Sequence, residues 1–198
     1  MLFTIRKGSH SPLLSQRIIR RHKHSVALTG TFVLPKEAWY DTKVHGTHIN
    51  KLVGSSNDLF NTESVRLGWR PAAMQNVFEI YVYIHLGGGW VRSERLRDDL
   101  VETVMAEVTN NYSVLPAYGM WKTEEDGIAV NHARCVVNGS VVDRPYDVRM
   151  GTGWIMNPYF GGRPTAPNDI NIYLGIDGIT TSKPSMMRYF MEKIMCPL

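Results

Sequence analysis

The sequence predicts a mainly β protein, a sandwich or barrel of antiparallel strands. Three observations predict it. Apolar and polar residues alternate at a period of two in run after run. Gly, Pro and Asn clusters separate the runs. Before about residue 178, strand patterns do not alternate with the long helical patterns that βαβ units require.

The elements follow in order. His24 to Leu34 reads as a strand, with Val26, Leu28, Gly30 and Phe32 on one face. Ser64 to Trp69 alternates with Val65, Leu67 and Trp69 together. Val77 to Leu86 is the strongest strand: Phe78, Ile80, Val82 and Ile84 share one face, Glu79, Tyr81, Tyr83 and His85 the other. Gly87-Gly88-Gly89 predicts a reversal, and Trp90 to Arg95 a returning strand. Leu100 to Val108 fits either period; its β-branched residues favour a strand. Gly127–Val137 and Val141–Val148 bracket Asn138-Gly139, the preferred centre of a type I′ hairpin turn because both positions need positive φ. Gly153 to Phe160 and Asp169 to Ile176 read as two more strands. Ser182-Lys183-Pro184-Ser185 then opens a helix over Met186 to Met195, with Met187, Phe190, Met191 and Ile194 at helical spacing. Methionine is dense in this stretch, and such a helix docks on the sandwich or on a partner. The expected organisation is a basic arm over 1–23, a β-domain over 24–178 and a helical tail over 179–198.

A chain of 198 residues suits one large β-domain with a core that needs neither metal nor disulfide. No apolar run approaches the roughly 18 residues of a membrane helix, which argues against a membrane role. The start, Met1-Leu2-Phe3-Thr4-Ile5 and then Arg6-Lys7, reverses the charge order of a signal peptide. Cys135 and Cys196 read as two reduced thiols. The net charge of +4 is exceeded by Arg6, Lys7, Arg17, Arg20, Arg21 and Lys23, all of which precede the first acid, Glu37. A basic arm of this kind contacts an acidic partner surface or nucleic acid. Nucleic acid is the weaker reading, because no Phe, Trp or Tyr lies between Arg6 and Lys23 to stack on bases.

No phosphate-binding loop, dinucleotide fingerprint, zincin motif or nucleophile elbow is present. His132 and Cys135 have an odd offset and fall on opposite faces of a strand. His45 and His48 near Asp41 and Asp58 lack further evident ligands for a metal, and Asn168-Asp169 is explained as well by a turn as by calcium. Glu79 reads as a cross-strand ion pair with Arg66 or Arg70. The sequence therefore calls for no catalytic residue, metal or cofactor. Its best functional lead is aromatic: Trp69, Trp90, Trp121 and Trp154 at strand ends or turns, with Tyr159 beside the last, suited to a glycan or a protein partner.

A set of ordered motifs carries a resemblance. Ile49-Asn50-Lys51-Leu52-Val53-Gly54, Ser64-Val65-Arg66-Leu67-Gly68-Trp69-Arg70 and Glu79-Ile80-Tyr81-Val82-Tyr83 occur in sequence. They are followed by Asn157-Pro158-Tyr159-Phe160-Gly161-Gly162 and Pro164-Thr165-Ala166-Pro167-Asn168-Asp169-Ile170. Over about residues 5 to 175 this resembles an uncharacterised family from Bacteroidetes and their bacteriophages, which reads INKLxG, SARFGWR and PYFGG. That family's histidine cluster before the second motif is replaced here by Leu59-Phe60-Asn61-Thr62-Glu63. The closing pattern is similar to concanavalin-like jelly rolls, which implies a sandwich of two antiparallel sheets. The resemblance implies a non-catalytic structural or adhesive component of a phage virion, such as a capsid decoration or tail-associated protein. It would be held by other subunits in a homo- or hetero-oligomer, and located in the virion or in the cytoplasm before assembly. The alternative is a carbohydrate-binding or polysaccharide-cleaving jelly roll.

Overall fold

The computed structural model describes residues 1–23, 25–57, 63–86, 95–122, 129–145 and 152–180. For 86, 95–98, 118–122, 129–131, 145, 152, 179 and 180 only the backbone course is described. Two antiparallel sheets pack face to face: of the sandwich or barrel that the alternation predicts, the chain forms the sandwich that the jelly-roll resemblance implies. The strands are β1 (Leu2–Ile5), β2 (Arg21–Lys23), β3 (Ala27–Val33), β4 (Asn50–Ser56), β5 (Glu63–Pro71), β6 (Val77–Leu86) and β7 (Arg95–Met105). They continue with β8 (Asn110–Lys122), β9 (Ala129–Val137), β10 (Ser140–Pro145), β11 (Thr152–Met156), β12 (Ile170–Leu174) and β13 (Gly178–Thr180). One sheet runs β1-β12-β3-β8-β9-β10, with β13 also on β3; the other runs β2-β11-β4-β5-β6-β7. One short helix, α1 (Thr42–His45), is capped by Asp41, whose carboxylate accepts from the Lys43 amide at 2.9 Å.

Alternation builds the core. Phe3, Ile5, Leu28, Phe32, Val114, Ile170 and Ile172 point inward from one sheet; Val65, Leu67, Trp69, Phe78, Ile80, Val82 and Ile84 point inward from the other. Each such side chain contributes about 1.5–3 kcal/mol on burial. The hairpin at Asn138-Gly139 forms as predicted: φ is 50° and 95°, and Ser140 pairs with Val137.

Register shifts break the alternation in β4, β7 and β8. Lys51 pairs with Gly68 and Val53 with Leu67, so Leu52 is the extra residue and both Leu52 and Val53 are buried. Ile80 pairs with Glu102 and Tyr81 with Leu100, which turns Val101 into the core and leaves Leu100 exposed.

The stretch expected as a basic arm is built into the sandwich. β1 pairs with β12 and β2 pairs with β11, and Phe3 and Ile5 are core residues. Burial of Phe3 and Ile5 outweighs the local charge that suggested a free arm. The expected strand at Trp90–Arg95 enters the described residues only at Arg95, and the glycine run and the C-terminal helix lie outside them. Cys135 is a buried free thiol; burial pushes it up to about 12.

Candidate functional site

The outer face of β4, β5 and β6 carries the charged and aromatic side chains that the core excludes. On β5 the outward residues are Ser64, Arg66, Gly68 and Arg70, because Val65, Leu67 and Trp69 point inward. Across β5 lie Gly54 and Ser56 of β4 and Tyr81, Tyr83 and His85 of β6.

Arg66 sits deepest. It is 3% exposed, yet it lines a cavity of about 530 Å³. Gly54 makes this possible: a Cβ there would lie 2.6 Å from the Arg66 Cα and 2.8 Å from its Cγ. The Arg66 Nε has no hydrogen-bond partner. Burial lowers the guanidinium to about 10, opposed by the nearby phenols of Tyr83 and Tyr159; no carboxylate among the described residues acts on it. It therefore remains a cation at neutral pH, without an acidic counter-ion among the described residues. The neighbouring Ser64 Oγ is also buried and unpartnered.

Lys51 joins Arg66 in the same cavity, because the β4 bulge leaves it outward. Its Nζ lies 4.0 Å from the centre of the Tyr83 ring and donates to the Ile49 carbonyl at 2.7 Å. Gly161 leaves room for it: a Cβ there would be 2.9 Å from Nζ. Tyr159 bridges to Lys51 through paired backbone bonds of 2.8 and 2.9 Å. Its ring stacks on His10 at 5.4 Å, and the His10 Nδ1 meets the Phe160 carbonyl at 2.8 Å.

A buried layer fixes this arrangement. Asn50 donates to the Tyr40 hydroxyl at 2.9 Å and accepts from the Gly161 amide at 2.9 Å, tying the Tyr159 loop to β4. Burial, offset in part by Asn50 and Arg70, raises Tyr40 to about 12. Its hydroxyl meets His48 Nε2 at 3.3 Å. Burial, then the charges of Lys51, His10 and His45, hold His48 below its ordinary value.

The next cation along β5 is compensated. Arg70 Nε donates to Glu79 at 2.7 Å, Tyr81 donates to the same oxygen at 2.6 Å, and the guanidinium lies 4.8 Å from the Tyr81 ring centre. Burial pushes Glu79 up, but these hydrogen bonds and the charge of Arg70 outweigh it and hold the carboxyl low. Glu79 is thus the cross-strand ion pair expected, with Arg70 rather than Arg66 as its partner.

The aromatic expectations divide. Trp69 is fully buried, edge-on to Phe78 at 5.6 Å, so it is a core residue and not a contact residue. Its place at a strand end suggested a turn; its inward parity decided otherwise. Trp154 is half-buried on the outer face beneath Arg21, whose guanidinium lies 4.8 Å from the ring centre. Tyr159 is 37% exposed and lines the cavity. Trp90 and the Trp121 side chain lie outside the described residues. Of the basic residues, Arg17 lines the cavity and Arg21 covers Trp154; Arg6, Lys7, Arg20 and Lys23 are exposed. Asp169 accepts from the Lys7 amide at 2.7 Å, a long-range tie between the stretch after β1 and the entry to β12. His132 meets Asp143 at 2.8 Å and Cys135 is fully buried, on opposite faces as their offset requires. Among the described residues no group of three or more His, Cys, Asp or Glu side chains is arranged to hold a metal.

Sequence reasoning passed over Lys51, Arg66 and Tyr83 as site residues. One signal was available: Arg66 and Tyr83 have outward parity on adjacent strands, and no acid shares the outward positions of Ser64 to Arg70.

These features define a class: a β-sandwich whose sheet face holds a cationic, tyrosine-lined cavity. No protein-family model and no curated protein matches the chain. Among solved structures, the fold is similar to the crystal structure of alginate lyase vAL-1 from Chlorella virus. The TM-score is 0.53 and the identity 11%, over 87% of this chain and 81% of that one. At this identity the likeness is one of fold.

Proposed function

We propose that the protein is a polysaccharide-cleaving β-sandwich that acts on a uronate-containing, anionic polysaccharide by β-elimination. The observation that carries this reading is Arg66, a buried cation on the cavity wall with an unpartnered Nε and, among the described residues, no carboxylate beside it. An unpaired buried charge is costly, and an anionic ligand supplies the missing partner. The sandwich fold it shares with a viral alginate lyase supports the same reading.

The chemistry suits the residues. Elimination removes the C5 proton next to a uronate carboxylate, forms a C4=C5 double bond from that electron pair, and breaks the C4–O glycosidic bond. The leaving oxygen takes a proton. Arg66 neutralises the carboxylate, and Lys51 adds a second positive charge where negative charge develops. Tyr83 and Tyr159 both line the cavity; one of them, as the phenolate, accepts the C5 proton, and a tyrosine hydroxyl gives a proton to the leaving oxygen, so that the proton removed and the proton donated balance.

Incubation with uronate polymers and neutral glycans tests this. Ultraviolet absorbance from unsaturated chain ends should rise with a uronate polymer only, and Arg66→Ala should abolish it. Binding without new unsaturated ends would instead support a non-catalytic adhesive module, the role that the phage-family resemblance implies, using the same cavity. Cleavage undiminished in Arg66→Ala would overturn the proposal.

A further inference from the structure

We infer a second anion-binding subsite on the same sheet face, formed by Arg21 on Trp154, that takes the carboxylate of a neighbouring saccharide unit. The inference rests on the reading of the Arg66 cavity as a uronate site and extends it to a longer chain. Trp154 and Met156 share a strand face, and Met156 lines the Arg66 cavity. Arg21 pairs with Trp154 across β2 and β11, and its guanidinium lies 4.8 Å from the ring centre. The indole is a shelf that holds the planar guanidinium in place. Among the described residues Arg21 has no carboxylate partner, in contrast to Arg70.

The spacing fits a polymer. Trp154 pairs with Ser56 and Ser56 with Ser64, so Trp154 is two strands from β5 and offset by two residues from Arg66. At strand spacings of ~4.8 Å and ~3.4 Å per residue the backbone positions lie roughly 12 Å apart. That exceeds a single sugar ring, so one uronate cannot occupy both places, whereas successive units of one chain can. Arg17 adds a further cation to the cavity wall, where Asn157 holds the segment through bonds of 2.6 and 2.9 Å to Ile18.

The test is chain-length dependence. Oligouronates from dimer to hexamer, and the polymer, are compared on wild type, Arg21→Ala, Trp154→Ala and Arg6→Ala. Arg6 is exposed next to β1 of the other sheet and controls for net charge. We expect KM for the hexamer and polymer to rise about ten-fold in Arg21→Ala and Trp154→Ala, with kcat and the dimer's KM nearly unchanged, as loss of uniform binding requires. Arg6→Ala should match wild type. Equal losses in Arg6→Ala and Arg21→Ala, or a loss independent of length, would overturn the subsite. Where no cleavage occurs, calorimetric Kd replaces KM: length-dependent binding without cleavage sinks the lyase reading and keeps the subsite. No binding of any oligouronate by wild type removes both.

Discussion

Arg66→Met separates function from stability. Burial lowers the Arg66 guanidinium from 12.5 to about 10. At ~1.4 kcal/mol per pH unit this corresponds to on the order of 3 kcal/mol disfavouring the charged form in the folded state. The sign follows from the direction. The folded value is depressed, so the cost is fully present at every pH below about 10 and is relieved only as pH rises above it. Methionine keeps an unbranched stem in the space beside Gly54 and carries no charge. At neutral pH the variant should therefore be more stable than wild type, by at most about 3 kcal/mol. For a domain of this size that corresponds to a Tm increase of up to roughly 6–12 °C. Cleavage should fall at least about 100-fold, the usual consequence of deleting a group that stabilises developing negative charge. Thermal unfolding at pH 7, paired with the unsaturated-end assay, reads both quantities. A Tm below wild type would show that Arg66 is held by compensating interactions, and the reasoning from an unpaired cation would fail.

Gly54→Ala places a Cβ 2.1 Å from the Val65 carbonyl oxygen and 2.6 Å from the Arg66 Cα, so backbone must move. A loss of about 1–3 kcal/mol in urea unfolding is expected, with reduced activity even where the fold persists; unchanged stability would contradict the packing. His48 titrates below its ordinary value of 6.5 in the folded protein. The unfolded chain thus takes up its proton first, and stability should be lost as pH falls below about 6.5. His48→Gln should flatten that slope, and an unaltered slope in pH-dependent unfolding would exclude His48 as its source. Trp69→Ala should destabilise by about 3–5 kcal/mol as a core truncation, whereas Trp154→Ala should cost far less; chemical denaturation of both variants decides between a core and a surface role.

The motif residues show how far the sequence reaches into the site. Alternation in Val65, Leu67 and Trp69 already places Arg66 outward, and the same period in Phe78 to Ile84 places Tyr83 outward. Their meeting depends on the pairing of Arg66 with both Gly54 and Tyr83, a matter of register that period-two patterns leave open. Lys51 illustrates the limit: simple alternation across β4 fails at Leu52, and only the bulge explains why Lys51 and Gly54 face the same way. β4 itself, with Asn50, Gly54, Ser55 and Ser56, lacks the β-branched density that marks a strand and is held by its two neighbours.

By itself, the sequence determined the mainly β antiparallel class, the strands from Val77 to Leu86 and around Asn138-Gly139, and the inward side of each, because those depend on local period and turn chemistry. Tertiary structure alone decided that the basic N-terminal stretch supplies strands to both sheets. It alone decided that Lys51, Arg66, Tyr83 and Tyr159, drawn from three strands and a loop, converge on one cavity. Such convergence is set by long-range strand order and by where small residues leave room for a charge, and neither quantity is written in any local window of the chain.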